Sequence, residues 1–375
     1  MRKFLFCLLF FFLAQISVFA QAIVLSDKAS VSVLTCASGN EVYSLFGHTA
    51  IRIKDIERNL DVVYNYGAFD FEAPNFILRF TKGDLQYFVT ADPFEDFTYQ
   101  YFYDKRAVYE QVLNLTQDQK QRLFDRLNSV LFSDDRFYTY KFIDRNCTNM
   151  TVDIINDLLG EKVIVKTGDK SMPYRDVLYP YFNGHFYEQL GTSVIFGTKV
   201  DEKATLLFLP VELQQSLETV KYDARPLSGK STTLLNFPPV PQGGSWWNNI
   251  YTYLLALLLI VILNRKVITL TYLVFIALIG TFFSISGFYS FHEELANNYN
   301  ALLFNPLLFG VVYFYLSGNR NWLYRFSILC AAFIGIYILV ILNKVYFLIV
   351  LPLVVTNLII LGRFIFRYRI ENKKN

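Results

Sequence analysis

The sequence predicts an exported α+β domain followed by a five-helix transmembrane bundle, and three observations carry that prediction. The N-terminus has a secretory pattern, residues 21–236 mix alternating segments with capped helical ones, and residues 248–363 are dominated by long apolar stretches. The composition agrees. The chain has 375 residues, 53% hydrophobic and 18% charged, with a mean hydropathy of +0.30, too apolar for two ordinary soluble domains. Its formal charge of +3 is dispersed without a basic stripe, which sets nucleic acid aside as a partner. Four cysteines in no paired spacing and three histidines offer no metal centre, and no cofactor is implied.

The elements follow in chain order. Met1-Arg2-Lys3 precedes an apolar run from Phe4 to Leu13, and Val18 and Ala20 suit a cut after Ala20, so residues 1–20 read as a signal peptide. Residues 21–236 form the exported domain. In it, Gly47 to Lys54 alternates and opens a strand on His48, and Leu60 to Gly67 is its antiparallel partner after a short polar turn. That pairing makes His48 and Asn65 neighbours. Further strands are expected around Leu85 to Thr90 and Tyr138 to Ile143. Thr116 and Gln119 form a capping box ahead of Leu123, Phe124, Leu127, Val130 and Leu131 at helical spacing.

A second helix opens on Cys147. Asp144 or Asn146 can cap it, Met150, Ile154 and Leu158 share the face of Cys147, and Gly160 ends it. The unpaired N–H groups and positive dipole of a first helical turn favour thiolate over thiol. A histidine held by a third polar group then supplies the base that a cysteine nucleophile needs.

Residues 237–247 read as a linker of prolines and glycines ending in Trp246-Trp247, an aromatic belt. Apolar stretches at 248–263, 267–289, 301–317, 326–342 and 345–362 give five spans. With the domain outside, Arg265-Lys266, the stretch from Arg320 to Arg325 and the tail at 364–375, preceded by Arg363, all fall inside. The outer loops hold Lys344 as their one cation, and Glu293 and Glu294. Positive charge inside therefore agrees with export of the domain and a cytoplasmic C-terminus.

Each chemical reading has a plainer rival. Cys147 could be an inert core thiol or bridge to Cys36. His185 is a rival base, since it follows Cys147 in the chain. Arg52 shares a face with His48 and reads mainly as an ion-pair partner. Arg106 and Glu110 read as a helix-surface pair. His292, Glu293, Glu294, Asn298 and Asn300 read as an external loop that must be polar, and Cys330 as packing. A glycosidase using Asp70 and Glu72 is a weaker reading, for no carboxylate pair stands out.

The residues also carry a resemblance. A histidine opening a strand in "GHTAIRI", followed far downstream by "NC" opening a helix, resembles the circularly permuted papain-like enzymes, among them NlpC-type amidases and lecithin:retinol acyltransferase-like enzymes. More closely, "LTCASGNEVYSLFGHTAIRI", "YNYGAFDF", "EQVLNLT" and "RNCTNMTVDII" resemble the Lnb-type N-terminal periplasmic domain family, and "HEELANNYNALLFNP" resembles its companion transmembrane domain. The resemblance implies a papain-like fold, an inner-membrane location, Cys147 as nucleophile and His48 as base. Asn65 is the chosen orienting group, with Tyr64 and Tyr66 as alternatives. The implied function is a membrane-tethered periplasmic thiol hydrolase or acyltransferase acting on an amide or acyl bond of an envelope peptide, lipid or glycan. The alternative is a non-catalytic envelope module that binds a glycan, peptide or protein.

Overall fold

Alternating segments in the first half of the chain pair into one antiparallel sheet. The computed structural model describes residues 23–238 and 245–372, so the expected signal peptide and part of the expected linker, 239–244, lie outside the described residues. The strands are β1 (Ser30–Cys36), β2 (His48–Asp55), β3 (Leu60–Ala68), β4 (Gln86–Pro93), β5 (Val108–Val112), β6 (Phe137–Thr139), the small hairpin β7 (Lys221–Tyr222) and β8 (Arg225–Pro226), and β9 (Thr232–Leu235). Seven of them form the main sheet in the order β6-β4-β3-β2-β1-β5-β9, every neighbouring pair antiparallel.

The domain's helices are α1 (Phe76–Lys82), α2 (Phe94–Tyr103), α3 (Gln117–Leu131), α4 (Cys147–Leu159), α5 (Tyr174–Leu178), α6 (Phe186–Ile195) and α7 (Pro210–Thr219). One face of the sheet, with Val31, Val33, Ile51, Ile53, Tyr64 and Val89, packs on Leu123 and Leu127 of α3, Ile155 of α4 and Leu213 of α7. The other face, with Leu34, Ala50, Val63 and Val108, is covered by Phe97 and Tyr101 of α2. The capping box of α3 forms as expected: Gln119 N–H donates to the Thr116 hydroxyl, and the Gln119 side chain accepts from Thr116 N–H.

Strands β1, β5 and β9 are not among the expected ones. A strand buried on both faces loses its apolar-in, polar-out signature. In β1, Ser32 and Thr35 are buried beside Val33 and Leu34, and the Ser32 hydroxyl donates to Glu110 Oε1 at 2.6 Å. The expected strand at 138–143 is cut to three residues, because Lys141 and Arg145 exchange backbone hydrogen bonds of 3.1 and 3.0 Å in a tight turn that ends on Asn146. Arg106 and Glu110 do not form a helical pair. Arg106 lies in the loop after α2 and Glu110 in β5. Glu110 instead joins Asp61 in flanking Arg52 at 3.1 and 2.6 Å, with the Arg52 guanidinium stacked 3.3 Å over the Phe94 ring.

The second half is helical: α8 (Ile250–Leu263), α9 (Lys266–Tyr289), α10 (Leu308–Leu316), α11 (Arg320–Ile341) and α12 (Phe347–Asn372). Three of these, α9, α11 and α12, are long and apolar enough to cross a membrane. The other two expected spans form shorter helices. The 14 residues of α8 rise about 21 Å, less than the roughly 30 Å of a bilayer core. The stretch 301–317 is broken before α10, whose nine residues begin just beyond Pro306, a residue with no N–H to give a helix.

The two halves interlock. Val194 of α6 is buried in one cluster with Tyr253, Leu257 and Tyr272 of the helical half, and Phe186, Leu190 and Ile195 pack against that cluster. Tyr187 stacks on Trp247 with centroids 5.6 Å apart. The stretch 292–300, expected to be polar because it is external, is in large part inserted against the domain: Glu294 is 2% and Asn300 0% exposed.

Candidate active site

Three features of the chain bring His48 to its place. Gly47 turns the backbone at φ +78°, and a Cβ there would lie 2.6 Å from the Cys36 carbonyl, so the strand can open on His48 only after a glycine. His48 then pairs with Cys36 across β1. On its other side Ala50 pairs with Asn65, which puts Asn65 diagonally across from His48 on the same face. Asn65 Oδ1 meets His48 Nε2 in a short hydrogen bond. An amide oxygen can only accept, so Nε2 carries a proton and Nδ1 is left for the other neighbour. The alternatives to Asn65 point elsewhere: Tyr64 donates to Asn128 Oδ1 at 2.8 Å, and Tyr66 packs against Tyr138.

That other neighbour is Cys147, the first residue of α4. Asn146 caps the helix, accepting on Oδ1 from Thr148 N–H at 2.8 Å and Asn149 N–H at 3.1 Å, while its own N–H donates to Asn149 Oδ1 at 2.6 Å. The Asn146 amide donates in turn to the carbonyls of Phe142 and Phe208 at 2.8 and 2.9 Å. The helix start is thus tied into the fold on both sides. Thr49 and Thr148, each following one of the two central residues, meet at 3.1 Å between hydroxyls and lock β2 to α4.

The electrostatics of the pair are reciprocal. Burial works against charge on both groups. For Cys147 the neighbouring His48 charge, the hydrogen bond from its ring, the Thr49 backbone N–H and the Thr148 hydroxyl outweigh burial and bring the thiol below its ordinary value. For His48 the Cys147 charge, its hydrogen bond and Asn65 outweigh burial and the nearby Arg106, and hold the imidazole above its ordinary value. Each charge thus supports the other, and the couple is shifted toward thiolate and imidazolium relative to the isolated groups. Both residues are half-buried rather than sealed in the core.

Cys36 is different. It is fully buried and free rather than bridged to Cys147, and burial pushes its thiol up to about 12. His185 caps the start of α6 in a loop that faces Asn248 and Asn249 before α8. Asp70 and Glu72 are exposed in the turn after β3, where the Asp70 carboxylate accepts from Glu72 N–H at 2.8 Å. Among the described residues no three His, Cys, Asp or Glu side chains converge in a set that could hold a metal.

Several neighbours were not anticipated. Tyr138 and Tyr140 flank the sulfur closely enough to feel its charge. Asn149 completes the cap of Asn146, and its signal was the i, i+3 spacing of a capping box, hidden because asparagine replaces the usual Glu or Gln. The threonine pair had no signal, since it depends on two elements meeting 99 residues apart.

Residues 18–178 match the family model of the Lnb N-terminal periplasmic domain. The matched stretch contains His48, Asn65 and Cys147 and runs to the end of α5. Comparison with curated proteins and with solved structures returns no match. A domain matching a periplasmic family, followed by three helices able to cross a membrane, makes this a membrane-associated envelope protein.

Proposed function

We propose that this protein is a membrane-tethered periplasmic thiol enzyme, a hydrolase or acyltransferase of permuted papain-like architecture. It acts on an amide or acyl bond of an envelope component. The observation that carries the proposal is the contact of Cys147 with His48 while Asn65 holds the far ring nitrogen.

The Cys147 thiolate attacks the carbonyl carbon, its proton having passed to His48 Nδ1. The developing oxyanion needs donors. Thr148 and Asn149 N–H groups are spent on the cap and Met150 N–H on the Asn146 carbonyl. The N–H of Cys147, at the first helical position, has no acceptor within its own helix and is free to donate to the oxyanion. Collapse of the tetrahedral adduct breaks the bond to the amine or alcohol, which leaves with the proton from His48. Water or an amine then attacks the thioester, losing its proton to His48, and the thiol is restored. Asn65 keeps the ring oriented throughout.

Substrate access favours a membrane-bound molecule. An aromatic series leads from the sulfur's neighbour Tyr140 to Tyr87 at 4.5 Å, Phe69 at 5.1 Å, Phe76 at 6.1 Å, Phe80 at 6.0 Å and His292 at 6.0 Å between centroids. His292 follows the apolar helix α9, and Lys82 at the end of α1 accepts from Phe291 N–H at 2.7 Å. Phe71, Ile77, Leu78 and Phe80 are exposed there, an apolar surface suited to lipid at the level of a helix end. In this reading residues 21–236 lie outside the inner membrane, α9, α11 and α12 cross it within the helical half at 248–363, and the tail from 364 is cytoplasmic.

The test is activity of the full-length chain in membranes toward acyl-ester and amide substrates, with trapping of an acyl group on Cys147. Loss of turnover and of the trapped group in Cys147→Ala is expected. Unchanged turnover in that variant would reject the thiol mechanism, and binding without turnover in the wild type would favour the non-catalytic module.

A further inference from the structure

The turn that presents Cys147 is held from the membrane half. In the short turn Glu293–Leu295, Glu294 is 2% exposed, and its carboxylate oxygen Oε1 accepts from Ile143 N–H at 3.1 Å. Its backbone is fastened as well, for Gly197 N–H donates to the Glu294 carbonyl at 2.7 Å. Gly197 is required for that approach, since a Cβ there would collide with the Ala296 carbonyl.

From Ile143 the bonds run directly to the nucleophile. The Ile143 carbonyl accepts from Asn149 Nδ2 at 2.5 Å. The other end of that amide, Oδ1, accepts from Asn146 N–H at 2.6 Å, and Asn146 caps the helix that begins on Cys147. One residue, Ile143, therefore separates Glu294 from the Asn149 side chain that fixes the cap. The Glu294 carboxylate also lies close enough to Tyr140, beside the sulfur, to act on it electrostatically. The adjacent Glu293 makes a different kind of contact, an exposed ion pair with Lys141 at 2.5 Å.

We propose that Glu294 is a positioning residue for Cys147, and that the thiol site is fully assembled only when this loop of the membrane half is docked on the domain. The inference rests on the thiol reading above. It makes the helical half a working part of the site rather than a mere anchor. The group required of residue 294 is a hydrogen-bond acceptor for a buried backbone N–H, because such an N–H left unpaired moves the turn that carries it.

The experiment measures modification of Cys147 by iodoacetamide at near-neutral pH, in the full chain held in lipid nanodiscs, alongside amide exchange of Ile143. Glu294→Leu fills the space without an acceptor, and Glu294→Gln restores one. A hydrogen bond to a charged group, lost, slows labelling by about tenfold or more in Glu294→Leu, whereas Glu294→Gln stays within about threefold of the wild type. Glu293→Gln, which spares Ile143, labels as the wild type does. Faster exchange at Ile143 accompanies only the leucine variant. Wild-type labelling in Glu294→Leu, or equal slowing in the leucine and glutamine variants, would overturn the proposal. Should wild-type Cys147 itself react no faster than in His48→Ala, the thiol reading fails, and the Ile143 exchange alone decides whether Glu294 braces the turn.

Discussion

Replacing Asn65 by leucine keeps the branched shape of the side chain and removes the acceptor for the His48 Nε2 proton. The imidazolium then loses the hydrogen bond from its Nε2–H to the half-buried Asn65, and a bond made by a charged group is worth roughly 1.5 to 3 kcal/mol, or about 10- to 150-fold in the population of the charged couple. The sulfur's own charge and hydrogen bond raise His48 more than Asn65 does, so His48→Ala must have the larger effect. The assay is the rate of Cys147 alkylation against pH, because only the thiolate reacts. Its fraction rises as pH passes through the thiol's pKa, which in the wild type lies below the ordinary value of 9.0. In Asn65→Leu the rise moves toward that value, and the near-neutral rate falls by about tenfold. In His48→Ala burial is opposed only by the Thr49 N–H and the Thr148 hydroxyl, and the rise moves further up. An Asn65→Leu profile that superimposes on the wild type, or a His48→Ala profile that keeps its low rise, would refute the couple.

Other outcomes follow from the same structure. Cys36, pushed up to about 12 by burial, stays unmodified near neutral pH and reacts only after denaturation, as peptide mapping by mass spectrometry would show. Gly47→Ala forces a side chain into left-handed backbone against the Cys36 carbonyl, which costs about 1 to 3 kcal/mol and lowers both the thermal midpoint and Cys147 labelling. Asp201, between Arg175 at 2.8 Å and Lys344 at 3.0 Å and accepting from the Tyr299 hydroxyl at 2.6 Å, joins the two halves. Burial raises its pKa, but Arg175, Tyr299 and Lys344 outweigh burial and hold it below 3.8. Its contribution is therefore present above the ordinary carboxylate pKa and lost as pH falls through the lower folded value. Asp201→Asn strands the buried Arg175 and destabilises the junction by about 3 to 5 kcal/mol near pH 7. The two melting curves should converge only in acid below pH 3.8.

Much of the site was legible because its signals are local. The glycine before His48, the alternation on both sides of the turn after Lys54, and the cap ahead of Cys147 each lie within a few residues, and the structure brings His48, Asn65 and Cys147 together. The rest depended on partners far away in the chain. Strand β1 hid its character because both of its faces are covered. Arg106 and Glu110 are four apart, a helical interval, yet Glu110 faces Arg52 across the sheet. The apolar stretches were visible in composition, but only packing cut the one at 301–317 into a turn and a short helix.

Composition and periodicity sorted this chain into an antiparallel-sheet domain and apolar helices, because burial and backbone hydrogen bonding act on neighbouring residues in ways a few turns of chain already reveal. They also pointed to the two side chains able to exchange a proton. Whether the stretch from His292 to Asn300 is solvent-facing or structural was decided by docking. Its carboxylate and amide groups find their partners at Ile143, Val194, Ile195 and Phe196, and a polar group can be buried only where such partners wait for it.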